Sequence, residues 1–270
     1  MSFNQKLKNI CLEKNNRLCI GLDIDNEKLS INSLDSMQKF IKDIISATID
    51  LCPVYKMNFA FYERYGSKGY EILEEISSFI DNKAITIADA KRGDIGNSSK
   101  YYAEAIFDHL NFDSITVSPY MGFDSIYPFT SYKDKGVFIL ALTSNPGSEN
   151  FQKKIIESEA LYKYVVNLSN SLNKYDNVGI VVGATNAEYL DEINKISKSL
   201  PWLMPGIGAQ GGDLKKSITI GEENFLSLVN VSRGILRAGD GSINAIRKET
   251  EIYTKEIRKI LWIVVKLWIY

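Results

Sequence analysis

The chain has 270 residues and a formal net charge of −1, with 32 Lys and Arg set against 33 Asp and Glu. That length suits one large domain or two small ones, and the even charge balance argues against a nucleic-acid binder held by a basic face. One histidine, His109, rules out multi-histidine zinc sites and any Ser-His-Asp triad that does not use it.

The opening MSFNQKLKNICLEKNN is polar and amphipathic and lacks the long apolar stretch of a secretory leader. Within it, Phe3 to Lys14 reads as an extra helix that closes the bottom of the fold. Cys11, Cys19 and Cys52 form no CxxC pair, which suits reduced thiols in a cytoplasmic protein. Eight short apolar runs follow in order: LCIGLDI from Leu18, PVYKMN from Pro53, AITIADA from Ala84, SITVSP from Ser114, GVFILALT from Gly136, VGIVVGAT from Val178, WLMPGIG from Trp202 and FLSLVNVS from Phe225. Most are near-continuous rather than alternating, as in a parallel sheet covered on both faces. Ser33–Asp50, Ser98–Leu110, Gln152–Asn173 and Ala187–Ser199 carry helical period between them. Eightfold strand–helix alternation without hairpin signals predicts an α/β fold, a (β/α)8 TIM barrel, as a single domain over residues 1–260. A doubly wound open sheet shares the alternation, but no GxGxxG follows the first strand. The end, Leu261 to Tyr270, is almost wholly apolar. It is shorter than the roughly 20 residues that span a bilayer and lacks the basic flank of a surface anchor, so no membrane partner is expected. It reads as a segment packed on the barrel or on a neighbour, with its role open.

Barrel enzymes keep their chemistry at the C-terminal ends of the strands. Here those ends carry Asp23, Lys56 with Asn58, Asp89 with Lys91, Ser144, Gln210 and Arg233. A strand-end Asp often only caps the next helix, and Asp23 alone reads that way. Lysines do not cap, and two of them among carboxylates around one mouth are costly unless paired and used. The densest cluster runs from Asp89 through Lys91 to Asp94 and Ile95. Extended backbone would point Asp89 and Lys91 to one side and leave Asp94 on the loop before a helix starting near Asn97. The bland alternative is a solvated loop whose ion pairs are worth about 0–1 kcal/mol, which needs no apolar strand behind it. GIGAQGGD (Gly206 to Asp213) and Asn230-Val231-Ser232-Arg233-Gly234 end the last two strands. Glycines let backbone N–H groups approach an anion and Arg adds a bidentate charge, so these loops read as a phosphate site. Thr143-Ser144-Asn145-Pro146-Gly147, after the fifth strand, is by itself a plain turn.

Taken together, these segments resemble the orotidine 5′-phosphate decarboxylase family, in its longer second subfamily, from about Cys19 to Arg233. The most specific match is Asp89-Ala90-Lys91-Arg92-Gly93-Asp94-Ile95 to the family's D-x-K-x-x-D-I signature. Gly21-Leu22-Asp23, Tyr55-Lys56-Met57-Asn58-Phe59 and the three later loops match as well. The resemblance implies conversion of orotidine 5′-monophosphate to uridine 5′-monophosphate in pyrimidine biosynthesis, with no metal and no organic cofactor. It implies Lys91 as proton donor to C6 and a charged tetrad of Lys56, Asp89, Lys91 and Asp94. Asp94 and Ile95 would reach into the partner subunit's site, making the active unit a homodimer. Asp23 and Lys56 would hold ribose hydroxyls, Ser144 the pyrimidine, and Gln210 and Arg233 the phosphate. Asn58, Ser98, Thr143, Pro205, Gly211 and Ser232 complete the implied substrate-binding set. Ser98, Ser118 and Ile24 depart from the usual Thr, Asn and Pro without removing a catalytic group. Magnesium-dependent sugar-phosphate enzymes share the D-x-K-x-x-D loop but hold their metal partly through an acidic residue where this chain has Lys56. A non-catalytic, nucleotide-binding barrel is the rival of another class.

Overall fold

The structure, a computed structural model, describes residues 1–25, 29, 31–208 and 211–269. The apolar runs become β1 (Leu18–Gly21), β2 (Val54–Asn58), β3 (Ile85–Arg92), β4 (Ser114–Val117) and β5 (Gly136–Leu142). After a short ribbon, β6 (Ile155–Ile156) and β7 (Glu159–Ala160), come β8 (Val178–Val182), β9 (Trp202–Pro205) and β10 (Ser227–Val231). The eight longer strands close into a parallel barrel in the order β1-β10-β9-β8-β5-β4-β3-β2, the (β/α)8 architecture the alternation predicts. Its seam joins the first strand to the last, with Leu18 opposite Val229 and Ile20 opposite Val231.

Near-continuous apolar strands give this barrel two cores. Leu18, Ile20, Tyr55, Ile115 and Val229 pack outward under the helices. Cys19, Val54, Ile85, Ile87, Phe138, Val181, Leu203 and Leu228 fill the lower interior with Phe3, Leu7 and Cys11. The last three come from the helix Phe3–Glu13, which Ser2 caps by accepting from the Gln5 amide. That helix packs Phe3, Leu7 and Cys11 into the bottom of the barrel. Phe3 stands edge-on to Phe138 at 6.1 Å. Gly136 makes the fit possible, because a Cβ there would lie 2.2 Å from the Phe3 ring. All three cysteines are buried and free.

Two helices differ from expectation. The segment read as Gln152–Asn173 becomes helical only at Leu161, after a 3-10 turn and the antiparallel β6–β7 ribbon. Glu157 turns the ribbon at φ 57°, and Ile155 and Ile156, which mimic a buried helical stripe in sequence, are exposed. The segment read as Ala187–Ser199 is helical only from Leu190 to Ile196. The final helix, Ile243–Ile269, runs without a break across residue 261. Its helical period carries Ile246, Ile257, Leu261 and Val264 on one buried stripe, while Trp262 stays exposed. It also ties the ends of the fold together: Asn16 Nδ2 donates to Thr254 Oγ1 (3.0 Å), and Arg258 donates to the carbonyls of Asn15 and Lys14. Among the described residues no helix is long and apolar enough to cross a membrane.

Candidate active site

Polar side chains converge where β1, β2, β3 and β4 end. Lys56 is the centre of this group: its side chain is buried, and its Nζ lies 3.0 Å from Asp89 Oδ2 and 3.5 Å from Asp23 Oδ1. The Asn58 amide donates to the same Asp23 oxygen at 3.2 Å, so Asp23 ties the end of β2 to the residues after β1. Asp89 Oδ1 takes Lys91 Nζ at 2.7 Å and the Thr116 hydroxyl at 2.9 Å. Three charges therefore stand in line, ammonium–carboxylate–ammonium, with Asp23 behind the first.

Burial works against charge on Lys56, but Asp23 and Asp89 outweigh it and hold the ammonium above the ordinary lysine range. Burial works against charge on Asp89 as well. There Lys56 and Lys91 prevail and hold the carboxyl well below the ordinary carboxylate range. A lowered carboxyl contributes stability that is complete above its unfolded value and is lost as pH falls through the folded one. A raised ammonium contributes stability that is complete below its unfolded value and is lost as pH rises through the folded one. The stability difference between wild type and Asp89→Asn is therefore expected to stay constant between about pH 5 and 9 and to shrink only below about pH 4. Urea unfolding of both proteins across that range checks it. A difference that already shrinks near neutral pH would mean that Asp89 is not held in its charged form.

Above these charges lies a cavity of about 740 Å³. Asp23, Lys56, Asn58, Asp89 and Lys91 line one side. Thr143, Ser144, Pro205, Ser232 and Arg233 line the rest, with Leu140, Val181 and Leu203 as its apolar wall. Among the described residues the buried Ser232 hydroxyl has no hydrogen-bond partner. Ser144 is held close against β8, since a Cβ on Gly183 would come within 2.7 Å of its amide nitrogen. An apolar wall facing fixed charges, with an arginine at the rim, suits a flat polar ring carrying an anionic group.

A profile of the orotidine 5′-phosphate decarboxylase / HUMPS family matches residues 16–247. The chain belongs to this family. An orotidine 5′-phosphate decarboxylase of Dehalococcoides mccartyi is 48% identical over 248 residues, covering 90% of this chain and 91% of that protein. The solved structure of Leishmania donovani OMP decarboxylase superposes with a TM-score of 0.84 at 35% identity, covering 96% of this chain and 98% of that one. A Toxoplasma gondii chain assigned as an orotidine-monophosphate decarboxylase superposes with a TM-score of 0.91 at 32% identity, covering 98% and 99%.

Not every residue matched to the decarboxylase pattern reaches the cavity. Asp94 sits on the loop after β3, where its carboxylate accepts from the Ile95 amide at 2.7 Å. Ile95 is 56% exposed, and Ser98 faces outward from the helix Gly96–Glu104. Gly211 lies on an exposed turn at φ 79°, apart from the lining, and Gln210 lies outside the described residues. Asn230, in the last strand-end segment, lines the cavity, and so do Asp25, Thr116, Gln152 and Arg237, which the strand-end reading passes over. Gln152 clamps the β5 loop: its Oε1 accepts from the Thr143 amide (2.7 Å) and its Nε2 donates to the Thr143 hydroxyl (2.9 Å). Its place within an expected helix hid that role. Arg92, by contrast, turns away from the cavity to pair with Glu63 and to lie over Phe59 and Tyr102.

Proposed function

We propose that this chain removes CO2 from orotidine 5′-monophosphate with Lys91 as the proton donor, giving uridine 5′-monophosphate. The observation that carries the reading is the Lys56–Asp89–Lys91 line, joined at 3.0 and 2.7 Å at the floor of a cavity with Arg233 at its rim. The C6–carboxylate bond breaks, CO2 leaves, and the electron pair remains on C6. The Lys91 ammonium stabilises that pair and then delivers a proton to C6. Asp89 stands near the departing carboxylate. Two like charges 4 Å apart cost about 4 kcal/mol at an effective dielectric of 20, or roughly a thousandfold in rate. Accelerations of about 10¹⁷-fold require some 23 kcal/mol, so repulsion is a minor contributor. Preorganised charge, and phosphate binding that positions the ring, supply the rest.

Asp94 completes the charged set from a second copy of the chain, with Ile95 beside it. The reading draws support from their surroundings. Ile95, Tyr101, Tyr120, Met121, Phe123 and Tyr127 are all exposed on or beside the packed helices Gly96–Glu104 and Phe123–Thr130. An apolar face of this kind suits a self-complementary interface.

The direct test is the loss of orotidylate ultraviolet absorbance on adding purified protein, with and without EDTA. EDTA-resistant conversion to uridylate is expected. No conversion by folded protein refutes the reading, and conversion abolished by EDTA moves the chain to the metal-dependent branch.

A further inference from the structure

The cavity floor holds a hydroxyl whose place follows from an irregularity in the sheet. β3 and β4 pair regularly at Ile87–Ser114 and Ala88–Ile115, and pairing resumes at Arg92–Val117. Between those points β3 advances from Ala88 to Arg92 while β4 advances only from Ile115 to Val117, so β3 bulges over Thr116. Within the bulge Lys91 takes φ 50°, a left-handed conformation that a lysine rarely adopts. A bulge also takes an amide out of the ladder, and here the Lys91 amide donates to Thr116 Oγ1 at 3.0 Å. The Thr116 hydroxyl in turn donates to Asp89 Oδ1 at 2.9 Å, the same oxygen that receives Lys91 Nζ at 2.7 Å.

We propose that Thr116 is a positioning residue for Lys91, one hydroxyl fixing both the lysine's main chain and the carboxylate that holds its ammonium. The proposal rests on the reading of Lys91 as proton donor. Thr116 is 1% exposed, so bulk water does not replace either bond. Its proton and an acceptor lone pair are both engaged within the protein, so the hydroxyl orients the reacting group rather than gripping substrate. The β-branched side chain has few rotamers, which keeps the oxygen between its two partners.

Thr116→Val keeps the shape and removes both hydrogen bonds. A displaced reacting group costs rate more than affinity, so kcat is expected to fall by about tenfold to a hundredfold. KM for orotidylate, and Kd for uridylate measured by calorimetry, are expected to move by less than about threefold. Thr116→Ser restores the hydroxyl and is expected to recover most of the loss. If Thr116→Val does not fold, Thr116→Ala removes the same bonds and is read by the same criteria. The proposal fails if the hydroxyl-free variant keeps kcat within about threefold of wild type, or if KM rises while kcat holds. It also fails if Thr116→Ser, which keeps the hydroxyl, is as impaired as Thr116→Val, because the rate would then not follow the hydroxyl. An inert Lys91→Ala beside an active wild type establishes the underlying reading separately, so the two failures remain distinguishable.

Discussion

Lys91→Ala is expected to lose turnover by about 10⁴-fold or more while keeping its fold and its affinity for uridylate. A positioned general acid is worth roughly 10²–10⁴-fold, and a fixed charge facing a developing anion about 10²–10³-fold. In this mechanism one ammonium does both. The fold should tolerate the change, because the Lys91 side chain is 47% exposed and stands on a bulge rather than in the core. Asp89 keeps Lys56 and Thr116 as partners. Steady-state kinetics and uridylate titration check both halves, and near-normal turnover would assign the proton to another group. The same variant tests the second copy. Co-expressed with Asp94→Ala, it forms mixed dimers in which one site combines an intact Lys91 with an intact Asp94. Random pairing then restores about a quarter of wild-type activity from two inactive parents. No recovery would mean that Asp94 does not act across an interface.

Arg233→Ala is the second large effect expected. Arg233 follows β10 directly and lines the cavity between Ser232 and Gly234. Arg237, one turn on, is engaged with Asp25 at 3.3 Å, whereas Arg233 has no carboxylate partner among the described residues. Its charge is therefore available to a phosphate dianion. Losing one side of such a pair costs about 3–4 kcal/mol, or two to three decades in kcat/KM. The loss should fall mainly on substrate capture, with thermal stability unchanged. Orotidine, which lacks the phosphate, provides the control: wild type and variant should process it about equally slowly. A variant that remains equally impaired on orotidine would place Arg233 at the reacting ring instead.

The barrel was legible because its eight strands come from short, near-continuous apolar runs taken in order along the chain, and because the N-terminal helix has a clear amphipathic stripe. Lys56, and Lys91 beside Asp89, stood out because lysines at the ends of buried strands do not cap helices, whereas Asp23 taken alone reads as a cap. The bulge at Lys91 was not, since neither glycine nor asparagine marks its positive φ. Thr116 was passed over because threonine is an ordinary β-strand residue, and only the bulge opposite gives its hydroxyl a task. The ribbon at Ile155–Ala160 was hidden by exposed isoleucines that imitate a helical stripe. The apolar end looked like a separate tail because its composition changes abruptly, although the helical period of Ile257, Leu261 and Val264 runs through it.

The seam between β1 and β10 has a consequence for how the chain is made. Leu18 waits for Val229, more than two hundred residues later. At about 5–20 residues per second on a ribosome, that is a delay of roughly 10–40 s. Throughout it the growing sheet carries an open edge at each end, the kind of edge that pairs with other chains. Closure also comes before the last helix can dock on Lys14, Asn15 and Asn16, so these residues, made well before that helix, are among the last to be secured. Mutations that weaken the seam should therefore reduce the yield of soluble protein in cells well before they lower the melting temperature of the molecules that do close.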